Sequence, residues 1–357
     1  MIIQELQSGL QGLIGPVAVD TEFHAEHRYV PKLLLVQLRG ADGQTRIVDP
    51  KVTPKLSLLG ERLSGLPLLV HAATHDVQLL AHYCGLQPNH IVDPQVLAGF
   101  AGLGFPRSLG DLCRELLGIE VSGGLGLTDW NRRPLSPEQL AYAAEDVQHL
   151  QALVDALQDR VSRMDLATAA IQENVAKALE PVTPELAWRR IPAAPVLDTR
   201  GRIALRRLAA WREEEARKAN QPIWQIASNA VLVDLSRRRP TSAEEMSRNR
   251  KFPKRILKRP EILQLVADDT PFDDDFPITQ SERARLTALD AALAAWAAAQ
   301  EVRGPIAARL LLPQPLRREL ALAILRGRPS PIHGWRAAII PELSQLVIEL
   351  QVADIAY

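Results

Sequence analysis

Four short apolar runs crowd the first seventy residues, and after about residue 160 no run with strand alternation follows. Val17 to Val19, Leu33 to Leu38, Arg46 to Val48 and Leu68 to Val70 are separated by turn residues such as Ala41-Asp42-Gly43 and Gly65, and their lengths suit strands. The first three lie close enough to form a meander. Helical spacing takes over at about 74 to 84, 108 to 117 and 137 to 160, so this part reads as helices on a mixed sheet, an α/β domain. Ser136-Pro137-Glu138-Gln139 marks a helix start, with Ser136 as N-cap, Pro137 at the first helical position and Gln139 placed to close a capping box. Further on, Leu205, Leu208 and Trp211 share one helical face and Leu286, Leu289, Leu293 and Trp296 another, so the second half reads all-α. Between those runs, the acidic, proline-containing stretch Asp268 to Pro277 reads as a linker, and boundaries are expected near 195 and 275.

A chain of 357 residues has room for two or three domains, and 46% hydrophobic with 24% charged residues excludes a disordered or fibrous chain. Glu5 stands where an export signal carries a basic region, and the apolar stretch Leu286 to Ala299 has 14 residues including Asp290, so neither an export signal nor a membrane span is expected. Cys84 and Cys113, without Cys-x-x-Cys spacing, build no disulfide framework, which fits a reducing cytoplasm. A formal net charge of zero conceals an asymmetry: residues 1 to 150 hold 11 Lys/Arg against 16 Asp/Glu, a net of −5, whereas 201 to 260 hold 16 against 6, a net of +10. A polyanion prefers the second segment, although such a run also reads as a solvated helical face.

In Val17-Ala18-Val19-Asp20-Thr21-Glu22 the alternation projects Asp20 and Glu22 from one face of a strand end. Like charges so close raise each other's pKa unless a cation lies between them, and hard oxygen donors select Mg²⁺ or Mn²⁺. Taken alone, the pair reads first as solvated strand-end carboxylates. His71-Ala72-Ala73-Thr74-His75-Asp76 then places Asp76 in the first turn of a helix, where an acid also suits the helix dipole. In the capped helix, Tyr142 and Asp146 stack four residues apart beside Leu140, Ala143, Val147 and Leu150.

Asp20-Thr21-Glu22-Phe23 with Leu35-Val36-Gln37-Leu38, His71-Ala72 with Asp76, and Thr128-Asp129-Trp130-x-x-Arg133-Pro134-Leu135 running to Tyr142-Ala143-Ala144-Glu145-Asp146-Val147 resemble, in order and spacing, the ribonuclease D family of exonucleases with four acidic residues and a tyrosine. The resemblance implies a ribonuclease H-like mixed sheet with helices followed by all-α domains. It implies a catalytic set of Asp20, Glu22, Asp76, Tyr142 and Asp146, in which the four acids hold two divalent metal ions, Mg²⁺ or Mn²⁺, and Tyr142 stands beside the attacking water. With an ordinary pKa of about 10, Tyr142 is suited to orienting that water and helping to deprotonate it rather than to acting as a strong base. One departure stands out. Before Thr128-Asp129-Trp130, where family members usually carry a Lys and several polar residues, this chain has Ser122-Gly123-Gly124-Leu125-Gly126-Leu127. Neither this loop nor Gly99-x-x-Gly102-x-Gly104 has the strand-then-helix setting of a dinucleotide fingerprint.

Residues 200 to 268 resemble the HRDC domain shared by RecQ-type helicases and ribonuclease D, through Leu205, Leu208, Trp211-Arg212, Ala216, Pro222 and Ile226. Nucleic-acid binding is the implied role, with Arg248, Arg250, Lys251, Lys254, Arg255, Lys258 and Arg259 on phosphates, while Trp211 and Trp224 read first as core residues. The expected layout is an exonuclease domain at 1–195, a first HRDC-like domain at 196–270 and a diverged copy at 279–357 around His333-Gly334-Trp335-Arg336. The function implied is that of a monomeric, cytoplasmic 3′ to 5′ exoribonuclease releasing nucleoside 5′-monophosphates from RNA 3′ ends, such as transfer-RNA precursors or small structured RNA. Its rivals are a single-strand DNA exonuclease on the same fold, an inactive RNA-binding module, and a zinc hydrolase using His71, His75 and Asp76.

Overall fold

The computed structural model describes the chain apart from residues 1, 4, 54, 127, 192–196, 249–253, 273–278 and 351–357, and apart from the side chains at 254, 255 and 280. Contacts divide it into two compact units. One comprises the N-terminal portion through Phe23, Leu33–Glu180 and the segment from Ser281 onward; the other comprises His24–Lys32 and Pro181–Gln280.

The first unit is built on β1 (Ile2–Ile3), β2 (Val17–His24), β3 (Lys32–Arg39), β4 (Thr45–Val48), β5 (Leu68–Leu69) and β6 (Ile91–Val92). Among the described residues these form one sheet in the order β1-β4-β3-β2-β5-β6. It is mixed: β3 runs antiparallel to β4, while β1 on β4, β2 on β5 and β5 on β6 are parallel. The expected meander is the β4-β3-β2 half. Helices α1 (Leu6–Gly9), α2 (Ser57–Ser64), α3 (Thr74–Cys84), α4 (Pro94–Phe100), α5 (Leu109–Leu112, continued by a π turn at Cys113–Leu117), α6 (Pro137–Gln148), α7 (Leu150–Gln158) and α8 (Met164–Leu179) complete this part. Alternation along β2 decides its two faces: Val17 and Val19 join the main core, whereas Ala18 packs with Val147, Leu150 and Val154 of α6 and α7. The cap at Ser136 forms as expected, with Ser136 Oγ accepting from Gln139 N (3.2 Å) and Gln139 Oε1 accepting from Ser136 N (3.1 Å).

Past Ser281 the chain forms α15 (Gln280–Arg303), α16 (Ala308–Leu311), α17 (Gln314–Arg326) and α18 (Leu343–Glu349). The expectation of a separate domain at 279–357 meets a different grouping, because Leu289, Leu293, Leu310, Leu320 and Trp335 enter the core of the sheet unit. Phe100 and Trp335 meet at 5.2 Å between ring centroids, and Ala307 N donates to Gly99 O (2.8 Å). At Gly99 a Cβ would fall 2.9 Å from the Leu310 Cδ2 methyl, so a larger residue there would push that side chain aside. Buried Arg336 donates to both carboxylate oxygens of Glu173 on α8 (2.7 and 2.9 Å) and to the carbonyls of Leu310 and Leu311.

The second unit contains α9 (Thr199–Ala219), α10 (Ile223–Ile226), α11 (Asn229–Arg238), α12 (Ala243–Ser247), α13 (Lys254–Leu257) and α14 (Glu261–Ala267) around its own core of Leu205, Leu208, Leu232, Leu235 and Ile262. The first half of the expected linker is fastened to α9 and its surroundings: Arg207 pairs with Asp268, Arg239 with Asp269, and the Arg206 guanidinium lies 3.7 Å from the Phe272 ring centroid. The rest of that stretch, Asp273 to Pro277, lies outside the described residues. No described helix is long and apolar enough to cross a membrane.

Candidate active site

β2 outruns its parallel partner β5, whose last pairing is Ala18 with Leu69, so Asp20 and Glu22 stand past the end of the shared ladder. β5 in turn leads through Val70–Ala73 into α3, which delivers Asp76 to the same end of the sheet. There Thr21 Oγ1 donates to Asp76 Oδ1 (2.5 Å). α6 covers the Ala18 face and brings Asp146 with it. Carboxylate oxygens of Asp20, Glu22 and Asp146 lie within 4.8 Å of one another, and Asp76 is near enough to raise the pKa of both Asp20 and Glu22.

Burial is the main cause of the site's electrostatics, and mutual repulsion follows. Glu22 is pushed up to about 8 by burial and then by Asp146 and Asp76. Asp146 is raised to about 7 by burial and by Glu145, and Asp76 to about 6, chiefly by burial. Asp20 is driven well above the usual carboxylate range by burial, then Asp76, Asp146 and Glu22. The Tyr142 hydroxyl, raised by burial and by Asp146, Glu22 and Asp20, stays protonated beside the acids. Its ring is backed by buried Trp130 at 6.1 Å between centroids.

Acids whose folded pKa lies above the unfolded value contribute stability that is complete below about pH 4 and is lost as pH rises through the folded values near 6, 7 and 8. The metal-free protein is therefore expected to lose melting temperature between about pH 5 and pH 8, and a divalent cation to restore more of it at pH 8 than at pH 6. Calorimetry with EDTA or added metal checks this, and a melt indifferent to metal across the window would refute it.

Asp93, and Asp49 as the partner of Arg133, were not apparent from the sequence. Buried Asp93, the N-cap of α4, accepts from Ala72 N (3.0 Å), Ala73 N (3.1 Å) and Gln95 N (2.9 Å), holding the turn that leads to Asp76. Arg133 grips Asp49 through Nε (2.5 Å) and Nη2 (2.8 Å) and donates to Leu34 O and Trp130 O, tying the Trp130 segment to the sheet. An Asp-Pro-Gln cap signature was the one available signal for Asp93. The zinc alternative fails here: His71 Nε2 faces Arg107 O, His75 is exposed, and the acidic trio is the metal-compatible group found among the described residues.

In the basic segment, Arg248 and Lys258 are exposed and Arg259 is paired with Glu215 and Glu261. Arg250 and Lys251 lie outside the described residues, as do the side chains of Lys254 and Arg255. Trp211 packs on the helical core as expected, but Trp224 is 61% exposed. It sits on the one-turn helix α10, which is too short to bury a face of its own.

A mixed sheet that delivers two acids from one strand, a third from the following helix start, and a tyrosine-aspartate pair from a capped helix defines an exonuclease of the four-acid-plus-tyrosine class. In agreement, residues 2–162 match the 3′-5′ exonuclease family model and residues 204–266 that of the HRDC domain. Ribonuclease D of Xanthomonas oryzae pv. oryzae is 30% identical over 339 residues, 91% of this chain and 90% of that protein. Ribonuclease D of Granulibacter bethesdensis is 33% identical over 66% of this chain and 60% of its own length. The crystal structure of Escherichia coli RNase D superposes with a TM-score of 0.81 at 24% identity over 98% of each chain, showing the same fold. The chain belongs to the ribonuclease D family, whose members are hydrolytic 3′ to 5′ exoribonucleases. Exonucleases of this type depend on divalent metal, and the site fits that need: an all-oxygen donor set, charged at a cost that a hard cation offsets.

Proposed function

We propose that this chain removes nucleoside 5′-monophosphates one at a time from the 3′ ends of transfer-RNA precursors or other small structured RNA by two-metal-ion hydrolysis, in the cytoplasm and as a monomer. The observation that carries the reading is the convergence of Asp20, Glu22 and Asp146, with the Tyr142 hydroxyl near enough to all three for them to raise its pKa. The relatives' name, ribonuclease D, supports RNA as substrate. Asp20, Glu22, Asp76 and Asp146 would hold the ions, Mg²⁺ or Mn²⁺. Two such ions acidify the attacking water and stabilise the leaving 3′ oxygen. Tyr142, protonated at neutral pH, orients that water from the Asp146 side, and Thr21 fixes Asp76 through its hydrogen bond. Incubation with a 3′-tailed transfer RNA and with matched single-stranded DNA, each with Mg²⁺, Mn²⁺ or EDTA, tests this. Metal-dependent monophosphate release from the RNA is expected; preference for the DNA, or no release from either, overturns the substrate class or the activity.

Affinity for RNA is assigned to the helical unit, whose segment 201 to 260 carries a net +10 against −5 over residues 1 to 150. Replacing the exposed Arg248 and Lys258 by Gln is expected to weaken RNA binding and flatten the salt dependence of log K by about 0.7 to 1 per phosphate contact removed. Binding titrations from low to moderate salt give that slope, and an unchanged slope would make these cations a solvated face.

A further inference from the structure

The glycine-rich loop before Trp130 runs alongside α6 and touches it at three side chains spaced three residues apart. Gln139 Nε2 donates to Thr128 Oγ1 (3.2 Å), whose own hydroxyl and amide donate to Leu125 O (2.8 and 3.0 Å). At the middle position, a Cβ placed on Gly126 would lie 3.4 Å from the Tyr142 hydroxyl oxygen. At the far position, Glu145 Oε2 accepts from Ser122 N (2.8 Å). Gln139, Tyr142 and Glu145 thus form one stripe along the helix, met in the reverse order of the chain by Thr128, Gly126 and Ser122. A Cβ placed on Gly123 or Gly124 would meet nothing within 4 Å, so this part of the loop is open to its surroundings.

We infer that this loop is a wall over the Tyr142 hydroxyl and that Glu145 is a positioning residue for hydrolysis, because its hydrogen bond to Ser122 holds the wall in register with Tyr142. The inference rests on the active-site reading above and deepens it. The hydroxyl is the group that orients the attacking water, and the main chain of Gly126 is its neighbour outside the acidic cluster. A methyl group there would just touch the hydroxyl, whereas a branched side chain would occupy the space in front of it. A misplaced wall therefore affects the chemical step more than the capture of RNA.

Glu145→Gln and Glu145→Ala both remove the charge next to Asp146, but only the Ala variant removes the acceptor for Ser122 N. With saturating metal and RNA, the Gln variant is expected to turn over on the order of 10-fold faster than the Ala variant, with KM values within about twofold of each other. Hydrogen exchange at residues 122–126 should rise in the Ala variant and return toward wild type in the Gln variant. Gly126→Val, which leaves Glu145 in place, should lower kcat by a similar factor without changing metal affinity. Equal kcat for the two Glu145 variants, or wild-type turnover in Gly126→Val, overturns the wall while leaving the active site standing if Tyr142→Phe and Asp146→Asn are slow. Wild-type turnover in those last two would instead bring down the reading on which the wall rests.

Discussion

Asp20→Asn and Asp146→Asn are each expected to lower turnover on the order of 10³-fold or more, with the fold intact. Both carboxylates belong to the trio whose oxygens lie within 4.8 Å, and both are forced above their ordinary pKa by burial and by neighbouring acids. An amide of the same shape keeps the packing but withdraws one anionic donor from any bound cation. It also removes one repulsive charge, so without metal at pH 8 the variants should melt no lower than wild type. Single-turnover rates with a labelled RNA 3′ end, measured beside thermal melts with and without metal, decide the matter. Near wild-type turnover in either variant rules out these residues as the metal-holding set.

Tyr142→Phe is expected to depress kcat on the order of 10²-fold while leaving divalent-metal affinity nearly unchanged. The ring is held by Trp130 and by the cluster containing Leu35 and Ala143, so the phenylalanine keeps its place and only the hydroxyl is lost. That hydroxyl lowers the pKa of Asp146, so its removal lets protons compete better for Asp146 at neutral pH. The comparison of metal affinity therefore belongs at about pH 8, above the Asp146 value of about 7. If the Phe variant loses affinity as severely as Asp146→Asn, the hydroxyl is a ligand or a structural prop and its assigned role is wrong.

The elements that carry the acids were legible because each is encoded locally. Val17 to Val19 and Leu33 to Leu38 have strand length and composition, and Ser136 with Gln139 writes a helix start into four residues. Strands β1 and β6, two residues each, exist through pairing with β4 and β5 and leave no periodicity to read. Asp93 and Glu145 act through hydrogen bonds to backbone 20 to 23 residues away in sequence, a relation that no local pattern contains. The amphipathic run at Leu289, Leu293 and Trp296 announced a helix with one apolar face but not which core would receive it. For the same reason Trp224, whose neighbours resemble those of a packed helix, could not be recognised as exposed.

Because the segment from Ser281 onward completes the core of the sheet unit, the catalytic acids are synthesised well before the part that secures them. Asp146 is 190 residues upstream of Arg336, an interval of roughly 10 to 38 s at translation speeds of about 5 to 20 residues per second. Until then Gly99 and Phe100 lack Leu310 and Trp335, and Glu173 lacks Arg336. A polypeptide released early, from a broken message or a stalled ribosome, would carry every acid of the site on an unfinished scaffold.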